Sequence, residues 1–188
     1  ALADQHFRVM TSNKKVQELS DLKGIKIRTM ENSHHITFWK ALGANPTPMA
    51  FSELYVGLEQ HTVDAQENPY EVICSNGFYE VQKYVIETNH LPHLLALVTN
   101  QEFYQKMPKE SQKIINQAAI IARDEARKQA VLRTSDKVKE IENGGAELVP
   151  VSEAFRESML KASEPLYQQI SKIVNDNELM ELYISNNK

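Results

Sequence analysis

The sequence predicts an α/β fold in which short strands alternate with helices. Three observations carry that prediction. The chain has only 6 Gly and 7 Pro in 188 residues, and its abundant Ala, Glu, Gln, Lys and Leu favour helix over an all-β sandwich. Brief β-branched and apolar runs recur between segments of helical periodicity. One helical repeat runs from Pro108 to Asn143, which at about 1.5 Å per residue is too long for a single small domain to cover. A hydrophobic share of 41% suffices to bury the core of one domain or slightly more, which excludes disorder.

Residues 1 to 24 read as a chain arriving from an upstream partner, with Phe7, Val9 and Met10 forming a short strand-like patch before Thr11-Ser12-Asn13-Lys14-Lys15. Ile25-Lys26-Ile27-Arg28 alternates as a strand, with Arg28 at its carboxyl end. Ser33 is the expected N-cap of a helix whose apolar face is Ile36, Trp39 and Leu42, closed by a left-handed Gly43. Asn45-Pro46-Thr47-Pro48-Met49 must be extended, a connector or an edge, because each proline disfavours helix at the residue before it. Ser52 is expected to cap a second helix through Leu54, Tyr55 and Leu58. Thr62-Val63-Asp64-Ala65 reads as a strand that ends in the polar cluster Gln66-Glu67-Asn68-Pro69. The runs 84–90 and 94–98 read as two strands parted by Leu91-Pro92-His93. From Pro108 the apolar positions Ile114, Ala118, Ile121, Ala122, Ala126, Ala130, Val138 and Ile141 define a long helix. It either kinks near Arg133 to Ser135 or spans two lobes. Glu147 to Val151 is a last strand, and Ser152 opens a helical tail through Phe155, Met159 and Leu166 to Ile184.

The charge balance excludes several functions. With 21 Lys and Arg against 25 Asp and Glu, the net charge is −4, so no basic field exists to hold nucleic acid. No apolar run reaches the roughly 18 residues of a membrane span, and Ala1-Leu2-Ala3-Asp4 lacks a basic and then apolar leader. Cys74 is the only cysteine; it reads as a buried free thiol, neither a nucleophile nor a zinc ligand. His34 with His35, and His90 with His93, lack metal-ligand spacing, so polar caps or hydrogen bonds in a cleft are expected instead and no metal is assigned. Carboxylates Glu31, Glu53, Asp64 and Glu67 show no acid and base spacing. Phosphate loops and dinucleotide fingerprints are absent, so no cofactor and no enzyme activity are expected. Trp39, Phe51, Tyr55, Tyr70 and Tyr79 read as core or cleft-wall aromatics. Arg28 with Arg8 has the chemistry of a carboxylate clamp, since a guanidinium fork matches two carboxylate oxygens, although exposed arginines are the norm. Gln66-Glu67-Asn68 could aim amides into a cleft at a sheet edge, or form an ordinary polar turn.

Four ordered blocks then resemble the solute-binding proteins of TRAP transporters: 21–28 (DLKGIKIR), 41–55 (ALGANPTPMAFSELY), 63–69 (VDAQENP) and 78–90. Looser similarity extends to about residue 170. The resemblance implies a periplasmic-binding-protein-like (type II-like) α/β fold of two lobes. In it residues 1–106 would be mostly the second lobe with crossing strands, 107–143 a lobe-spanning helix, and 144–188 the final strand and C-terminal helices. An N-terminal lobe segment and a signal segment would lie upstream of Ala1. It implies a periplasmic or lipid-anchored receptor that delivers a small organic acid to TRAP membrane permease subunits. A sensory module docking on a receptor kinase and a C4-dicarboxylate or keto-acid binder are the alternatives.

Carried over by position, Arg28 matches the family's arginine that pairs with the ligand carboxylate, and Asn68 the amide beside it. Arg8 matches a second basic position and Phe51 an aromatic wall under the ligand. Glu31, Glu67 and His90 match cleft positions that bond hydroxyls or amines. Met30 stands where proline is usual and Ala65 where glycine is frequent. Glu31 beside an anion clamp suggests a sugar acid, a hexuronate or aldonate, over a plain dicarboxylate. A missing lobe would also leave apolar surface that favours self-association.

Overall fold

The first strand, β1, runs over Leu2–Ser12 in the computed structural model, which describes residues 1–186. β2 (Lys26–Thr29), α1 (Ser33–Ala41) and β3 (Asn45–Pro48) follow, then α2 (Leu54–Glu59), β4 (Ala65–Asn68) and α3 (Tyr70–Ser75). β5 (Tyr84–Ala96), α4 (Gln101–Lys106), α5 (Lys109–Asn143) and β6 (Glu147–Val149) come next. α6 (Glu153–Val174) and α7 (Asn177–Asn186) complete the order. The strands form one sheet in the order β3-β2-β4-β1-β5-β6. β2 lies parallel to β3 and β4, β5 parallel to β6, and β1 antiparallel to both of its neighbours.

Both faces of the sheet are covered, which gives two cores. On one face Met10, Ile27, Ala65 and Ile86 pack with Trp39 of α1 and with Phe155 and Met159 of α6. On the other, Val9 and Val85 pack with Leu54 and Leu58 of α2, Ile73 of α3 and Ile141 of α5. The alternation of successive strand residues between faces produces this division. The two-proline segment is the edge strand β3, where a missing N–H is tolerated.

Several local expectations are corrected. Asn32, not Ser33, caps α1: its side chain accepts from the backbone N–H groups of His34 at 2.9 Å and His35 at 3.3 Å. Ser52 caps nothing, since it lies inside a short 3₁₀ turn over Phe51–Glu53. The polar cluster does not follow a strand; Ala65–Asn68 is itself the strand and is buried along its length, because β2 and β1 flank it and helices cover both faces. The two strands expected between residues 84 and 98 are one, β5. Pro92 is tolerated there because β6 pairs only with Tyr84 to Ile86, which leaves one edge of β5 open around the proline. β1 is longer than its apolar patch, since β4 and β5 pair along it. The helical tail breaks at a left-handed Asn175 (φ 51°) into α6 and α7. Ser152 does cap α6, accepting from Phe155 N–H at 3.2 Å. α5 runs as one continuous helix through Arg133 to Ser135.

Candidate functional site: two buried arginines of the sheet

Met10 of β1 lies opposite Glu67 of β4, so Arg8, two residues along β1, points from the same face near the carboxyl end of β4. β5 contributes through a bulge. Arg8 pairs with Leu91 and Met10 with Ile86, so residues 87–90 lie opposite Val9 alone. Asn89 takes the left-handed conformation there (φ 45°), which asparagine tolerates better than most residues. Bulges re-aim side chains, and this one brings Thr88 and His90 to the end of β4.

Glu67 is the centre of the cluster, fully buried. Arg8 Nε donates to its Oε2 at 2.5 Å and Nη2 to its Oε1 at 3.1 Å and its backbone carbonyl at 2.7 Å. His90 Nε2 lies 3.1 Å from Oε2 and His35 Nδ1 3.5 Å from Oε1. Burial alone would raise the Glu67 carboxyl, but hydrogen bonds from His35, His90 and Arg8 outweigh it and hold the group far below its ordinary 4.5. His90 is pushed down from 6.5 by burial, against the pull of Glu67, so the neutral imidazole is its resting form. An ionised carboxylate can only accept, which assigns the proton to Nε2 and leaves Nδ1 to accept from Thr88 Oγ1 at 2.9 Å. The ring stacks on Phe38 at 5.4 Å and meets the edge of Trp39 at 5.0 Å.

A directional chain of hydrogen bonds runs from Arg8 beneath the strands. Arg8 Nη2 donates to Asn68 Oδ1 at 2.9 Å, Asn68 Nδ2 to Gln66 Oε1 at 2.6 Å, and Gln66 Nε2 to Thr11 Oγ1 at 3.0 Å. The Thr11 hydroxyl then donates to Gln82 Oε1 at 3.0 Å. Every member is buried. Because a guanidinium only donates, the first bond sets the orientation of each amide after it, and Asn68 keeps one Nδ2 hydrogen free of the chain.

Arg28, on β2, is held differently. Its Nε donates to the Met49 carbonyl at 2.9 Å, and its guanidinium carbon stands 5.7 Å from the centroid of the Phe51 ring. Neither Nη makes a hydrogen bond among the described residues. Among the described residues the buried polar atoms without a partner are His6 Nε2, Thr29 Oγ1 and Trp39 Nε1. Arg28 is not among them, so the 3% of this residue that remains accessible includes its open fork. Burial lowers its pKa and Glu67 raises it, yet a guanidinium stays charged.

With this geometry in hand, the match to known proteins is informative. The family model of bacterial extracellular solute-binding proteins, family 7, covers residues 1–173. The chain belongs to this family, the solute-binding proteins of TRAP transporters. It is similar to the 2,3-diketo-L-gulonate-binding periplasmic protein YiaO of Escherichia coli, at 36% identity over 75% of this chain and 43% of that one. A TRAP periplasmic solute binding protein from Haemophilus influenzae with bound L-gulonate superposes with a TM-score of 0.89 at 35% identity, over 100% of this chain and 62% of that one. Another from Shewanella oneidensis, with bound succinate, superposes with a TM-score of 0.90 at 26% identity, over 100% of this chain and 62% of that one. The chain spans about half the length of the curated relatives it matches.

In this TRAP solute-binding protein the structure gathers Arg8, Glu67, Asn68 and His90 into one bonded cluster and pairs Arg28 with Phe51 beside it. Glu31 sits apart, exposed in the bend before α1. Sequence reasoning singled out Gln66 as an amide aimed into a cleft or part of a polar turn, missed Thr11 and Gln82 as members of the chain, and left His35 and His93 without a partner. His93 Nδ1 lies 2.8 Å from Arg8 Nη1, and burial holds this ring toward neutrality too. The odd density of polar residues in a segment flanked by strand signals marked Gln66; nothing in the sequence marks a bulge that carries His90. Cys74 is buried and unpaired, its thiol pushed up to about 11 by burial.

Proposed function

We propose that this protein is an extracytoplasmic receptor that captures a small organic acid and hands it to the membrane permease of a TRAP transporter. The observation that carries the reading is the open guanidinium fork of Arg28, buried except at its two Nη and aimed by the Met49 carbonyl and the Phe51 ring. Such a fork takes a carboxylate bidentately. Asn68, the last residue of the neighbouring strand β4, supplies an oriented amide hydrogen, and Phe51 an apolar wall.

The work is capture and not chemistry. A carboxylate that Arg28 holds on this lobe and the remainder of the full-length protein covers from the other side stabilises a closed state, and the permease reads that state. A sugar acid, a hexuronate or an aldonate, is the preferred ligand. Support comes from relatives described as binding 2,3-diketo-L-gulonate and L-gulonate, and from the neutral donors around the clamp that suit hydroxyl groups.

Thermal unfolding of the full-length protein against sugar acids, C4-dicarboxylates, keto acids and sialic acid tests this, because a ligand raises the midpoint by mass action. Sugar acids alone are expected to shift it. A shift with C4-dicarboxylates alone would move the ligand class, and no shift with any carboxylate would overturn the receptor reading.

A further inference from the structure

We propose that the site selects ligands carrying a single carboxylate, because Glu67 cancels the charge of Arg8 and leaves Arg28 as the one uncompensated guanidinium among the described residues of the cluster. This rests on the reading of Arg28 as the carboxylate clamp and names the charge class of its ligand.

All three nitrogens of Arg8 are engaged within the protein, with Glu67, Asn68 and His93. Arg28 uses only Nε. Counting the permanently charged groups of the cluster, two guanidiniums stand against one carboxylate. His90 and His93 are both pushed toward neutrality, and His35 adds charge only when it takes a proton. One ligand carboxylate therefore completes neutrality in a buried region. A second would find no free cation among the described residues of the cluster and would lose its hydration uncompensated there. The remaining groups at hand, the free Asn68 amide hydrogen and the imidazoles, are suited to hydroxyls. Arg8, by position a second clamp, becomes a positioning residue: it orients Asn68 and satisfies Glu67.

The test uses matched pairs on the full-length protein by calorimetry at one pH and salt: galactonate with galactarate, gluconate with glucarate, and 3-hydroxybutyrate with malate. Each pair differs chiefly by the second carboxylate. In every pair that binds, the monocarboxylate is expected to be tighter by at least about tenfold, the scale of a buried group left unpaired. Glu67→Gln frees the charge of Arg8, and the ratio should then move toward the dicarboxylate by a similar factor. If that variant does not fold, the double variant Arg8→Gln/Glu67→Gln removes both charges and should keep the original preference. A dicarboxylate binding the unaltered protein as tightly as its partner overturns the proposal and leaves the receptor reading intact. Failure of every carboxylate to bind overturns the receptor reading itself.

Discussion

The surroundings of Arg8 and Arg28 are nearly equal in burial, at 2% and 3% exposure, and opposite in construction. Around Arg8 every nitrogen is engaged, a carboxylate lies against it, and a chain of amides and hydroxyls extends the bonding to Gln82. Around Arg28 the protein supplies a carbonyl and a ring face and then stops. Burial alone does not tell a structural cation from one kept for a ligand. What separates them is whether the protein has already filled the hydrogen-bonding fork.

The largest effect that sharpens this contrast is on binding. Arg28→Ala in the full-length protein should abolish ligand binding measured by calorimetry. Arg28→Lys should lose most of it, since an ammonium cannot take two carboxylate oxygens in one plane. Neither change should cost much stability, because Glu67 retains Arg8 and His90. Undiminished affinity in Arg28→Ala would mean that the clamp lies elsewhere.

Arg8→Ala should do the reverse. It strips the main cation from a carboxylate with no exposed surface, and breaking a buried pair in this way costs about 3 to 5 kcal/mol. Urea unfolding should show that loss with an unchanged slope. A variant as stable as the parent would show that His35 and His90 suffice to hold Glu67.

A milder way to probe the same carboxylate is pH. Glu67 and His90 both have folded pKa values below their ordinary 4.5 and 6.5. For each, the unfolded chain binds the proton first as pH falls, so the stability it contributes is present above the ordinary value and is lost on the way down to the folded one. Stability should therefore decline from about pH 6.5 through His90 and continue below about 4.5 through Glu67. A titration of the unfolding midpoint that stays flat from pH 7 to 4 would contradict the bonding around Glu67. Arg8→Ala should flatten the decline near pH 6.5, because losing the guanidinium that lowers His90 lets the folded ring take its proton more readily and serve as the cation for Glu67.

How much of this was legible in the sequence differs between the two arginines. For Arg28 the strand-end position alone was a weak signal, and it was the resemblance of the flanking blocks to a known family that pointed to the proposed clamp; the long helix from Pro108 was plain in its periodicity. The members of the closed cluster were named by the resemblance, but their bonding to one another was not legible. It depends on which residue of β1 faces Glu67, and register is a tertiary property. It depends also on a bulge at Asn89 that turns two apparent strands into one and delivers His90, whereas Leu91-Pro92-His93 signals a turn by local chemistry alone. The same override explains Gln66-Glu67-Asn68: polar residues in series argue for a loop, yet they form a central strand because each finds a buried partner.

The smallest expected effect concerns the ring beneath Arg28. Phe51 is 45% exposed, and its edge contact with Phe78 at 5.9 Å is its anchor to the core. A guanidinium over a partly exposed ring gains about 0.5 to 1 kcal/mol, a factor of about two to five in affinity. Phe51→Leu keeps apolar bulk and removes the ring, so it should weaken ligand binding by that factor and leave the unfolding midpoint within about a degree of the parent, as a half-exposed apolar swap does. The outcome separates two roles for the aromatic. A loss as large as that of Arg28→Ala would make Phe51 a wall pressed against the ligand itself. No loss would leave the Met49 carbonyl alone to aim the fork, and one hydrogen bond to Nε would then be all that distinguishes an open guanidinium from a wandering one.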